Sequence, residues 1–349
     1  MPFRDVVGHA RLVGLLKRSV VEGTLPPSLL FTGPSGVGKR KTAIAVAQGL
    51  NCLRVQGSGF TVQDSGSSSG SEFDACGECA ACTRIARGVH PDVVVVEPED
   101  SGAIKIEQIR DIVDRAAYRP FEGRRRVVVI DEADALGVPP QHALLKTLEE
   151  PPPSSVFVLI TSRPDILLPT VRSRCPQLRF RPLSPPEIAA ALVARGIADH
   201  KARAIAATSN GSLGDALAAA DGEHMDALDI ARTVLIKAAA EREPSRRIDA
   251  ARDLMTGVGS SGAADREQLS SYLRAMASLL RDVEVLATGA DASLLANPDA
   301  RPALERLTSA YRRDRGVRAF AAVDRALVAL APPRNAATKI VADWVVLQL

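Results

Sequence analysis

Ser28-Leu-Leu-Phe-Thr32-Gly33-Pro-Ser-Gly36-Val-Gly38-Lys39-Arg40-Lys-Thr42-Ala-Ile-Ala-Val-Ala-Gln-Gly-Leu50 is the stretch that decides the fold. A short apolar run meets three glycines and a lysine, and an alanine-rich segment follows at once. The spacing predicts a strand, a G-x4-G-K loop and a helix. Backbone amides of such a loop, backed by the helix dipole, form a nest for an anion, and Lys39 can reach the outer phosphates of a nucleotide. A glycine-rich turn with no ligand would read the same way locally; the flanking strand and helix favour the phosphate loop. A complete loop of this kind has Ser or Thr after the lysine, because that hydroxyl ligates magnesium. Here the position is Arg40, which cannot ligate a cation and opposes one. Thr42 should point off the phosphate-facing side. ATP or ADP can bind such a loop, with Gly33, Gly36, Gly38, Lys39 and Arg40 around it, while hydrolysis is not expected.

Outward from this loop, short β-branched runs alternate with longer amphipathic stretches: 28–32 then 39–50, 92–97 then 107–117, 126–130 then 140–149, and finally 156–161. Near-continuous apolar strands separated by helices predict an α/β domain with a parallel sheet covered on both faces. Alanine then changes the character of the chain, with 19 in the first 200 residues against 35 in the last 149. Alanine loses least on entering a helix, so the C-terminal part should be all-α. The shift begins near Arg181-Pro-Leu-Ser184-Pro185-Pro, where Ser184 is placed to cap a helix. Leu269, Leu273, Met276, Leu280 and Val283 should form one buried helix face, and Phe320, Val323, Leu327 and Leu330 another.

With 349 residues the chain can build its core without covalent staples. A formal net charge of +3 and 24% charged residues argue against a bulk electrostatic grip on nucleic acid. Only 12 aromatics are present, too few for base stacking along a single strand to be the main device. Arg124-Arg125-Arg126 reads as a solvated face before a strand. No apolar run is long enough to span a membrane, and the charged N-terminus does not resemble a signal peptide, so a cytoplasmic protein is expected.

Four of the five cysteines, Cys52, Cys76, Cys79 and Cys82, fall within 31 residues. In a reducing compartment a C-x2-C-x2-C run favours a metal over disulfides. Four thiolates leave no ligand position for water, so the expectation is a closed, structural zinc site; a module that keeps its cysteines but binds metal weakly is the competing reading. Residues 57–71 are rich in Gly and Ser and read as a flexible surface insertion that lengthens the excursion. The longer loop adds only about 0.6 kcal/mol per doubling of its length, which does not forbid the site. Cys175 stands apart and should not be a ligand.

Arg126-Val-Val-Val-Ile130-Asp131-Glu132-Ala-Asp134 is an apolar strand ending in acids. In a phosphate-loop fold Asp131 would organise a magnesium shell and Glu132 would polarise the attacking water. This run, with Ala143-Leu-Leu-Lys146-Thr-Leu-Glu-Glu-Pro151-Pro152, Thr161-Ser162 and Arg172-Ser173-Arg174-Cys175-Pro176, resembles the AAA+ subunits of the bacterial clamp loader in the DNA polymerase III holoenzyme. Val6-Val7-Gly8-His9, Gly88-Val-His90-Pro91-Asp92 and Ile106-Glu-Gln108-Ile109-Arg110 are also similar to that family. The resemblance is dense in the N-terminal half, reaches Ala216, and thins beyond it.

The resemblance implies three parts: an AAA+ phosphate-loop domain over 1–182 with an inserted zinc module (52–82), a helical lid over 183–222, and a C-terminal helical collar over 223–349. It implies that Arg174 is an arginine finger acting in trans on ATP held by a neighbouring subunit, and that Thr161 sits at the first sensor position. The family's motor subunits carry an arginine in a G-S-x-R-D-A-L helix start, where this chain reads Gly211-Ser-Leu-Gly214-Asp-Ala-Leu217. Arg40 and Gly214 alter one nucleotide site twice, leaving Glu132 vestigial, while Arg174 is intact. The chain therefore resembles the family's scaffold subunit, with the ATP-hydrolysing motor (γ/τ) as near alternative and a zinc-dependent nucleic-acid-binding module as the remoter one. Implied partners are the motor subunits and the δ subunit in a hetero-oligomeric ring, with the sliding clamp and primed DNA reached through the complex. No turnover by the chain alone is expected.

Overall fold

The computed structural model describes residues 1–349 except 55–73, 100, 221–222, 242, 260–261, 292–294, 296, 298–299, 312–313 and 332–333. The insertion expected over 57–71 thus lies outside the described residues. The chain divides into two compact units, Met1–Pro98 with Ile104–Leu183, and Glu99–Ala103 with Ser184–Leu349.

The first unit runs α1 (Ala10–Val21), β1 (Ser28–Thr32), α2 (Lys39–Asn51), α3 (Ala80–Ala86), β2 (Val93–Val96), α4 (Ile106–Ala116), β3 (Arg126–Ile130), α5 (Val138–Glu149), β4 (Ser155–Thr161), α6 (Pro169–Arg172) and β5 (Gln177–Arg179). All five strands pair in parallel, in the order β2-β3-β4-β1-β5. One strand, β4, separates β1 from β3. The register places Thr32 beside Thr161 and Ile130 beside Val96, so the residues after these strands share the C-terminal edge of the sheet. In open parallel sheets that edge is where ligands bind.

Alternation along the strands assigns the two faces. Leu29, Phe31, Val127, Val129, Val156 and Val158 pack with residues of α1 and α2, among them Leu16, Ala43 and Val46. Leu30, Val128, Ile130, Phe157 and Leu159 pack on the other side with residues of α4 and α5, among them Ile109 and Leu144. β1, β3 and β4 are buried along their whole length, as strands covered on both faces must be. β2 is shorter than the run expected at 92–97 by one residue at each end. The edge strand β5 was not foreseen, since Gln177-Leu-Arg179 carries no apolar run.

The second unit is helical, as its alanine content required. It comprises α7 (Pro185–Val193), α8 (Asp199–Thr208), α9 (Leu213–Ala220), α10 (Glu223–Ala240), α11 (Pro244–Leu254), α12 (Ala263–Ala287), α13 (Arg301–Leu307), α14 (Asp314–Leu330) and α15 (Thr338–Gln348). The Glu187 carboxylate accepts from both the backbone N–H and the hydroxyl of Ser184, which closes the start of α7. Leu269, Leu273, Met276, Leu280 and Val283 are all buried on α12, as expected. On α14 the expectation needs correcting: Phe320 is 46% exposed, and the buried positions are Ala319, Ala322, Val323, Ala326 and Leu330. Val323 and Leu330 are buried as expected and Leu327 is partly buried, so only Phe320 falls outside the contact, which alanines beside them complete. Among the described residues no helix is long and apolar enough to cross a membrane.

Candidate functional site

The loop between β1 and α2 has the backbone of an anion nest. Gly33, Gly36 and Gly38 all take positive φ (142°, 73° and 103°), which side chains disfavour. At Gly33 a second constraint applies, because a Cβ there would collide with the Phe180 carbonyl. Lys39 is buried, and its ammonium donates to the Gly33 and Pro34 carbonyls at 2.6 Å each. Burial pushes the Lys39 pKa down, against the pull of Asp131, Asp134 and Glu132. Thr42 is fully buried and its hydroxyl donates to the Gly38 carbonyl at 2.9 Å, so it does not face the loop's ligand side.

Arg40 reaches across the sheet edge. Its guanidinium pairs with Glu97 after β2 and lies 3.5 Å from Asp131 after β3. Asp131 is thereby engaged by a cation of this chain's own. Burial raises its pKa, while Arg40, the Glu132 N–H and Lys39 pull it back. Glu132 itself sits at φ 47° beyond the strand, with its N–H donating to Asp131 Oδ1.

The Thr161 hydroxyl donates to Asp134 Oδ1 at 2.9 Å and accepts from the Arg163 N–H at 3.0 Å. Arg163 in turn pairs with Asp134 at 3.2 Å. Arg174 follows α6; its guanidinium pairs with Glu149 and donates to the Thr170 carbonyl at 2.8 Å. Neither partner belongs to the phosphate loop. Gly214 is the second residue of α9 and offers no side chain for a phosphate contact.

The opposite end of α2 carries the thiols. Cys52 directly follows the helix, and its ligand atom with those of Cys76, Cys79 and Cys82 lies in a group spanning at most 4.8 Å. A tetrahedral zinc with bonds of about 2.3 Å sets its sulfurs about 3.8 Å apart, so this donor set fits the ion. The Cys76 N–H points at the Cys52 sulfur (3.4 Å) and the Cys79 N–H at the Cys76 sulfur (3.3 Å), which favours thiolates. Burial raises the Cys79 pKa, yet backbone N–H groups and neighbouring thiols bring it to about 6; burial holds Cys82 well above the usual thiol range. Cys175 is buried in the apolar cluster under α4 and α5, where burial pushes its thiol up to about 11.

Sequence reasoning gave no role to four residues that shape these sites, although His9 and Asp92 stand in the motifs that carry the resemblance. Glu97 is one. His9, at φ 54°, meets the Val37 carbonyl through Nε2 at 3.0 Å and ties the N-terminal segment to the phosphate loop. Asn51 and Asp92 hold the 121–126 loop: the Asn51 amide oxygen accepts from Arg124 and Arg125, and Asp92 accepts from Phe121, Glu122, Gly123 and Arg126. A polar residue at the end of each apolar element was the available signal.

Parallel sheet, phosphate loop and acidic strand end together define a phosphate-loop α/β domain. A sequence model of the family described as "DNA polymerase III, delta subunit" matches residues 8–184, and the chain belongs to that family. It is 40% identical over 179 residues to the DNA polymerase III subunit delta' of Pseudomonas aeruginosa, covering 50% of this chain and 49% of that one. It is 34% identical over 193 residues to the DNA polymerase III subunit gamma/tau of Mycobacterium tuberculosis, covering 55% and 31%. The chain thus spans half or less of the length of these relatives. Among solved structures, a gamma subunit-related protein of Thermotoga maritima aligns over 95% of this chain and 96% of its own at 16% identity and TM-score 0.45, a likeness too distant to carry weight.

Proposed function

We propose that this chain is a δ′-type scaffold subunit of a bacterial, cytoplasmic clamp loader. In this reading it holds a nucleotide at its phosphate loop without hydrolysing it. It lends Arg174 to the ATP site of an adjacent γ/τ motor subunit, and with the δ subunit it helps place the sliding clamp on primed DNA. The second unit would serve as lid (183–222) and collar (223–349), and zinc would fix the cysteine module. One observation carries the reading: Arg40 engages Asp131 and Glu97 within the chain's own site, whereas Arg174 finds its partners away from that site. A guanidinium is planar and always charged, which suits it to a γ-phosphate presented by a neighbour.

The test is reconstitution with motor and δ subunits. Arg174→Ala should leave assembly intact and cut turnover at the one neighbouring site by about 10³-fold, the usual worth of an arginine finger. Unchanged clamp- and DNA-stimulated ATPase would show the finger assignment to be wrong. The motor reading makes the opposite forecast for the chain by itself: steady ATP turnover that Lys39→Ala abolishes.

A further inference from the structure

In a phosphate loop that works with magnesium, the strand-end acids and the bound polyphosphate repel each other, and the divalent ion arriving with the nucleotide relieves that repulsion. In this chain Lys39 alone would face Asp131, Glu97 and the strand-end Glu132, a balance that rejects a bare polyphosphate. Arg40 changes the count. Its half-exposed guanidinium lies 3.5 Å from Asp131 and pairs with Glu97, so one fixed positive charge is shared between two acids before any ligand enters. Lys39, the loop amides and the N-terminus of α2 then face the ligand with one fewer net negative charge opposing it. A second cation beside Arg40 would meet a fixed positive charge, and Thr42, turned onto the Gly38 carbonyl, supplies no hydroxyl to hold it.

We propose that Arg40 takes the place of the metal, so that this site receives a nucleoside polyphosphate free of divalent cation. The inference rests on the nucleotide-binding part of the proposed function and adds the form of the ligand. Its consequence has a definite sign. Magnesium in solution chelates ATP, and a site built for the bare anion must compete with it. Added magnesium should therefore weaken binding or leave it unchanged, the reverse of an ordinary phosphate loop.

The experiment is calorimetric titration of the full chain with ATP, in EDTA and in excess magnesium chloride. Wild type should bind no more tightly with magnesium than without it, and Arg40→Lys, which keeps the charge, should behave alike. Arg40→Thr restores a hydroxyl and unmasks the acids. It should bind poorly in EDTA and about tenfold more tightly with magnesium. If magnesium tightens binding to wild type by that factor and Lys39→Ala abolishes it, the metal-free inference falls while nucleotide binding stands. If wild type binds no ATP in either buffer, the inference and the nucleotide part of the proposed function fall together. The role of Arg174 is then still decided by its own ATPase assay.

Discussion

One helix, α2, carries both sites, and its two ends have fared differently. At the N-terminal end the backbone of a phosphate loop is kept, with glycines where only glycine fits, but Arg40 alters the polar chemistry. At the C-terminal end four thiols gather within 4.8 Å of one another, and Asn51, the last residue of the helix, is nearly fully buried and bonded to the 124–125 backbone. The contrast teaches that shape and chemistry are separable. A loop can keep the geometry that cradles phosphate after losing the group that makes phosphate reactive, whereas a metal site missing one donor loses its purpose outright. The N-terminal end should therefore matter to ligand binding and little to stability, and the C-terminal end the reverse.

The largest effect is expected at the thiols. The purified chain should carry one zinc, and Cys82→Ser or strong chelation should remove it. Either should destabilise the first unit by about 3 kcal/mol or more. That corresponds to about 6 °C or more in its melting temperature. Metal analysis with parallel thermal melts checks this. A chain that melts unchanged without metal would reduce the module to a loop and break the contrast at its strongest point.

Next comes Asp92, which grips the loop that Asn51 also holds. It is fully buried; that desolvation raises its pKa, but three backbone N–H groups and Arg126 outweigh it and hold the carboxyl at about 2. A carboxyl with a folded pKa of about 2, against an ordinary 3.8, contributes about 2 kcal/mol. Because the folded value is the lower one, this contribution is complete above the ordinary value and is lost as pH falls through the folded one. Asp92→Ala should cost about 3 kcal/mol at neutral pH, since Arg126 then stays buried without the carboxylate that balances its charge. It should also flatten the acid limb of stability between about pH 4 and 2. Denaturant melts at several pH values test both, and an unchanged acid limb would assign the loop's order to other contacts.

Much of this was legible in the sequence for a physical reason. Strand, glycine loop and helix are local, and periodicity with φ-demanding glycines reports them within 20 residues; C-x2-C-x2-C likewise announces itself by spacing. What escaped was long-range. Glu97, Asp92 and Asn51 each look like an ordinary polar residue at the end of an apolar element, and their partners lie 29 to 74 residues away or on another strand's end. Phe320 escaped for a different reason: large apolar residues dominate a periodicity count, while close helix packing is set by alanine.

The smallest effect is at Lys39, and it bears hardest on the comparison. Its ammonium is buried and donates to two loop carbonyls, yet burial lowers its pKa, so the folded chain holds that proton less firmly than the unfolded chain does. The linkage follows: stability tied to this group rises as pH climbs from the folded pKa to the ordinary 10.5, and at neutral pH the buried charge counts against the fold. Methionine keeps the length of the side chain and discards the charge. Lys39→Met should leave stability unchanged or raise it by up to about 1 kcal/mol while abolishing ATP binding, as expected of a group kept for function at a cost in stability. Chemical denaturation beside ATP calorimetry separates the two readouts. Should Lys39→Met instead destabilise the chain as much as Asp92→Ala does, the phosphate loop would be a structural element like the thiol end, and the division of labour along α2 would not hold.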